Sequence, residues 1–122
     1  MSLYALSDLH LSFAEDKSME KFYGWQHYVE RIEANWKRII KPEDTVVLAG
    51  DLSWSLKLEN AAEDLKFIAE LPGEKVILKG NHDYWWTTVT KIRNFFDENH
   101  IDGLHILHNN CYVADGFAVC GR

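Results

Sequence analysis

The run from Lys75 to Asp83, "KVILKGNHD", decides the fold. A short apolar stretch of strand length ends in a glycine, followed at once by an amide, an imidazole and a carboxylate. A plain turn needs no more than Asn-Gly, so the polar residues have some further use. The pattern has two precedents upstream. "TVVLAGD" over residues 45–51 is an apolar strand running into a glycine and an aspartate, and "SLYALS" over residues 2–7 runs into Asp8-Leu9-His10.

Between these strands the periodicity changes to that of helices. Val29, Ile32, Trp36 and Ile39 or Ile40 predict an amphipathic helix over roughly 25–40, stopped by Pro42. Ala61, Ala62, Leu65, Ile68 and Leu71 mark a second, stopped by Pro72-Gly73, and Val89, Ile92, Phe95 and Phe96 a third over roughly 87–98. Residues 12–24 are polar without clear period and read as a loop. Strands alternating with helices imply βαβ units and a mostly parallel sheet.

After the third helix come "GLHIL" and "CYVADGFAVC". Asp115-Gly116 is a type I′ hairpin signal, and a two-residue turn there places Cys111 opposite Cys120. The expectation is two buried, reduced thiols, as in an ordinary cytosolic chain, with a disulfide only on oxidation.

At 122 residues and 14.2 kDa the chain is one domain or a piece of a larger one. Its 47% apolar and 26% charged residues are ordinary for a globular protein. It has no apolar run of the ~20 residues a membrane span needs. The start lacks a basic signal region, so a cytoplasmic chain with no membrane partner is expected. The formal charge of −6 argues against capture of a nucleic-acid backbone. It does not argue against a small phosphorylated substrate, because carboxylates that hold divalent cations invert the local charge.

In open α/β sheets ligands bind beyond the carboxyl ends of the strands, where Asp8-Leu9-His10, Gly50-Asp51 and Gly80-Asn81-His82-Asp83 would converge. Asp8 and His10, in extended backbone, would point to the same side and grip one ion. With no cysteine in the set, the site is of mixed nitrogen and oxygen donors, suited to Mn, Fe, Zn or Mg.

The stretches "SDLHLS", "LAGDLSWS" and "KGNHDYW" together resemble the first three motifs of the calcineurin-like metallophosphoesterases. The resemblance covers the chain to about residue 83. It implies an α/β fold that is half of an αββα sandwich, a mostly parallel βαβαβα sheet followed by a β-hairpin. It also implies two divalent metal ions and hydrolysis of phosphate mono- or diesters by a metal-activated hydroxide at a dinuclear site. Carried over residue by residue, Asp8 and His10 would bind the first metal, Asp51 would bridge both, and Asn81 would serve the second. His82 would be the catalytic histidine at the leaving-group oxygen, with Asp83 orienting its imidazole.

The family's later histidine motifs have no counterpart here. His105 and His108 lie three apart on a strand and face opposite ways, and His27 reads as a solvated helix residue. Residues 1–122 are therefore expected to form a single, incomplete domain, an N-terminal half with an uncovered sheet through which copies would associate. The alternative to a hydrolase is a catalytically silent half-domain that binds one metal or associates with itself. A nucleotide-binding fold is disfavoured by the absence of a G-x-G-x-x-G or phosphate-binding loop. Trp54, Tyr84, Trp85 and Trp86 would either wall the substrate or pack beneath the loops as core. Trp25 and Trp36 have helical neighbours and read as core.

Overall fold

The computed structural model describes residues 1–14 and 18–122; Glu15, Asp16 and Lys17, inside the expected loop 12–24, lie outside the described residues. Four strands, β1 (Leu3–Leu6), β2 (Thr45–Leu48), β3 (Glu74–Ile77) and β4 (Leu104–Ile106), form one parallel sheet in the order β1-β2-β3-β4. The register runs Leu3 with Thr45, Thr45 with Glu74, and Lys75 with Leu104. Helices α1 (Tyr28–Ile39), α2 (Ala62–Glu70) and α3 (Val89–Glu98) are the crossovers between successive strands. The expected α/β half-sandwich is borne out.

Burial explains the strand compositions. Val46, Leu48, Val76 and Ile77 are almost completely buried, as central parallel strands covered on both faces must be. Edge strand β1 is covered less, and Leu6 is 42% exposed. The main core joins Leu48, Ile77 and Ile106 of the sheet to Trp36, Leu65, Ile68, Ile92 and Phe96 of the helices.

Element boundaries moved where local chemistry overrode periodicity. Helix α1 starts at Tyr28 rather than near 25, because His27 caps it in a left-handed conformation (φ 52°) that no helix interior accepts. His27 is accordingly a cap, and it is exposed. Helix α3 starts at Val89 because the Thr88 side chain accepts a hydrogen bond from Lys91 N. Helix α2 ends on an unusual device. The buried Lys75 of β3 donates its Nζ to the carbonyls of Ala69, Leu71 and Gly73, and burial pushes its pKa below the ordinary lysine value. A cation among the last carbonyls of a helix also opposes the negative end of its dipole.

The hairpin pairs β5 (Asn110–Ala114) with β6 (Phe117–Gly121) around Asp115 (φ 48°) and Gly116 (φ 77°). Two successive positive φ values are what a type I′ turn requires, and Cys111 faces Cys120 as the turn dictates. The expected state of the thiols is corrected. Both cysteines are exposed and joined in a disulfide, with their Cα atoms 4.1 Å apart. That is the close spacing of a non-hydrogen-bonded antiparallel pair, which brings facing sulfurs within bonding reach.

Candidate metal centre

Three loops leave β1, β2 and β3 side by side, and their backbones are tied to one another. Asp8 N donates to Gly50 O, His10 N to Asp51 O, and Leu11 N to Leu52 O, at 2.9–3.0 Å. Asp8 and His10 do not lie in extended backbone, as their i, i+2 spacing suggested. Both have left-handed φ (62° and 45°), as does Asp51 (54°). Left-handed backbone at non-glycine residues is sparsely populated and persists only where its surroundings enforce it. Here three such residues meet at one sheet edge and carry the candidate ligands.

The second and third loops touch through glycines. A Cβ on Gly50 would come within 2.6 Å of the Gly80 Cα, and one on Gly80 would overlap the Asp51 carboxylate and backbone nitrogen. Only glycine permits so close an approach.

Asp83 then fastens these two loops together. Its fully buried carboxylate accepts from the backbone nitrogens of Asp51, Leu52, Ser53 and Gly80 (2.7–3.2 Å) and from Trp85 Nε1 (3.0 Å). No described hydrogen bond or ion pair joins Asp83 to the His82 ring. The carboxylate beside the His82 ring is that of Asp51, whose Oδ2 lies 2.9 Å from His82 Nδ1 and whose Oδ1 accepts from His82 N. The physical reason is valence: two carboxylate oxygens already serving five donors have no geometry left for an imidazole.

Around Asp51 the ligand atoms converge. One atom each from Asp8, His10 and Asp51 lie within 4.8 Å of one another. His10 Nε2 is 3.6 Å from Asp8 Oδ1 and 3.9 Å from Asp51 Oδ2. Burial raises the Asp51 pKa, but hydrogen bonds from the His82 ring and backbone, with the charges of His82 and His10, more than reverse it. The net shift is downward, so Asp51 is anionic at neutral pH.

The Asn81 amide oxygen faces both Asp51 carboxylate oxygens at 3.2 Å, an acceptor against two acceptors. Turned over, the amide donates to both oxygens, which satisfies all three groups. The donor set fits a divalent ion of the harder or borderline kind, with Asp8, His10 and Asp51 as ligands and Asn81 beside them.

The aromatic residues divide. Trp36, Trp85 and Trp86 belong to the core or pack against it, whereas Trp54, Tyr84 and Trp25 have ring contacts with His10 or His82. Trp25, expected in the core, instead sits edge-on to His10 at 6.2 Å, because α1 begins after it. His105 pairs with Glu74 and lies tilted against Tyr112, so it does not join the ligand set, and neither do His100 and His108.

Sequence reasoning overlooked two supports. Tyr28 donates to His10 O at 2.7 Å, and buried Asp64 accepts from Phe13 N and Ser53 Oγ. Asp64 was detectable as a carboxylate beside Leu65 in the apolar stripe of α2, since an acid is rarely buried without partners.

The sequence profile of the calcineurin-like phosphoesterases matches residues 1–120. No curated protein matches. Among solved structures, a protein of unknown function from Aquifex aeolicus is similar at 23% identity and a TM-score of 0.57, over 97% of this chain and 58% of that one. The phosphopantetheinyl hydrolase of Mycobacterium tuberculosis is similar at 18% identity and a TM-score of 0.51, over 97% of this chain and 41% of that one. The chain thus spans roughly half the length of the solved structures it resembles, and at these identities the likeness concerns the fold. No helix among the described residues is long and apolar enough to cross a membrane. With three motif loops meeting at one sheet edge and the profile spanning nearly every residue, the chain belongs to the calcineurin-like phosphoesterase family.

Proposed function

We propose that the protein hydrolyses phosphate esters at a site for two divalent metal ions. The observation that carries this reading is the convergence of Asp8, His10 and Asp51 within 4.8 Å. In this reading Asp8 and His10 would hold one ion, Asp51 would contribute to both, and Asn81 would offer its amide oxygen to the second. When bound, the ions supply a water of lowered pKa and neutralise charge on the phosphoryl oxygens.

The chain's own residues do the rest. Asp51 Oδ2 engages His82 Nδ1, which leaves Nε2 as the ring atom that donates a proton to the leaving-group oxygen. The His82 side chain is 37% exposed, so it is open to a substrate, while buried Asp83 keeps the loops in place without touching the reacting atoms.

Elemental analysis of the loaded protein, with turnover of a chromogenic phosphomonoester and diester, tests the proposal. Two ions per chain and turnover abolished by Asp51→Asn are expected. The second reading, a silent metal-binding half-domain, draws on the fact that the ligand group found among the described residues has three members and a single imidazole. At most one ion and no turnover with either ester would establish it and overturn the hydrolase.

A further inference from the structure

A histidine that ligates a metal ordinarily donates its other ring N–H to a carboxylate or carbonyl, which fixes the plane of the ring. His10 has no such partner. Its Nε2 faces Asp8 and Asp51, while its Nδ1 is buried with no hydrogen-bond partner among the described residues. What lies against the ring is Trp54, with centroids 4.9 Å apart and planes 22° from parallel. The same indole is 5.0 Å from the His82 ring, and the two imidazoles are 5.9 Å apart, so the three rings make a closed triangle. Trp54 is itself anchored, since its backbone nitrogen donates to Leu11 O on the neighbouring loop.

We propose that Trp54 is a positioning residue: its aromatic face sets the plane of the His10 imidazole, and the affinity of this site for a divalent ion depends on it. The proposal rests on Asp8, His10 and Asp51 being metal ligands. The His82 ring has a second restraint in its hydrogen bond with Asp51 at 2.9 Å, whereas the His10 ring has no described hydrogen bond, its nearest carboxylates lying 3.6 and 3.9 Å away. Loss of the indole should therefore reach metal binding through His10. The indole N–H is also buried and unpartnered, so it is the flat face rather than the nitrogen that acts. A phenyl ring should replace it, and an aliphatic side chain should not.

The test is titration of Mn²⁺ alone into the full 122-residue chain and its Trp54→Phe, Trp54→Leu and Trp54→Met variants. Folding of each metal-free variant is checked by circular dichroism. Phe should bind within about threefold of the unsubstituted chain. Leu and Met should bind at least about tenfold more weakly, the lower end of the effect of removing a residue that orients a metal ligand. Leu and Met variants that bind like the unsubstituted chain would overturn the proposal, as would a Phe variant as weak as Leu.

A second measurement does not involve metal. The His10 ring protons in the metal-free chain should show the upfield shift of a ring stacked on an aromatic face, kept by Phe and lost with Leu. If the unsubstituted chain binds no Mn²⁺ but shows this shift, the ligand reading fails while the stacking stands. If the shift survives in the Leu variant, Trp54 does not set the plane.

Discussion

Replacing Asp83 with asparagine separates two parts that one residue could play. In the structure its two oxygens serve five donors: Oδ2 takes Asp51 N and Gly80 N, and Oδ1 takes Leu52 N, Ser53 N and Trp85 Nε1. An amide offers one oxygen. Its best orientation keeps that oxygen on the three-donor side and turns the NH₂ toward Asp51 N and Gly80 N. A buried and a part-buried N–H group are then unpaired, at about 1–3 kcal/mol each, and the other three bonds lose their charge assistance.

The expected destabilisation is about 3–5 kcal/mol, a large share of the ~5–15 kcal/mol that holds a domain together. For a chain of this size that corresponds to a fall in melting temperature on the order of 10–20 °C. Urea unfolding followed by tryptophan fluorescence and circular dichroism gives the number directly. If Asp83 instead acted by orienting His82, Asp83→Asn would reduce turnover with little change in the urea midpoint. A stability change below about 1 kcal/mol would refute the clamp.

Three further outcomes follow from the same contacts. Gly80→Ala should cost about 3 kcal/mol or more, because the added methyl overlaps Asp51 and the overlap can be relieved only by separating the loops; an unchanged denaturation midpoint would contradict this. Asp44 has its pKa held below the ordinary 3.8 by backbone hydrogen bonds, first from Lys41 N and then from Ser2 N, against the effect of burial. A depressed carboxylate stabilises fully above its unfolded pKa and loses that contribution as pH falls through the folded value. The stability gap between the unsubstituted chain and Asp44→Asn should thus be full at pH 6 and close below pH 3.8, and a gap constant down to pH 2 would count against it. Replacing Cys111 and Cys120 with serine should cost about 2–3 kcal/mol by freeing a short loop in the unfolded chain. Mn²⁺ affinity should not change, since no hairpin residue belongs to the ligand group; a weakened affinity would show that the hairpin supports the site.

Much of this could be read along the chain. Apolar runs at 46–48 and 76–77 are buried strands because nothing polar interrupts them, and Trp36, Leu65, Ile68, Ile92 and Phe96 reach the core because helical spacing puts them on the apolar stripes of their helices. The pairing of Cys111 with Cys120 follows from Asp115-Gly116, since a two-residue turn allows a single register. The clustering of Asp8, His10 and Asp51 could be anticipated because each follows a strand of the same parallel sheet, and such strands end at the same edge.

What the chain could not disclose is how buried polar atoms share their partners. Asp83 has the residue type of a catalytic orienter, but four backbone nitrogens from two loops reach it first, and Asp51 takes the imidazole. Lys75 looks like an ordinary surface lysine at a strand start until the end of α2 is found beside it. Trp25 and Trp54 differ little in sequence context from the tryptophans of the core, and only the position of the first turn of α1 and the packing of two loops bring them to His10. Periodicity and turn type are properties of neighbours in sequence, so the sequence by itself determined strands, helices, the hairpin register and the residue types at the sheet edge. Hydrogen-bond valence is settled among groups far apart in the chain, so only the tertiary structure decided which carboxylates sit among the candidate ligands, which one braces the loops, and which indole lies against the His10 ring.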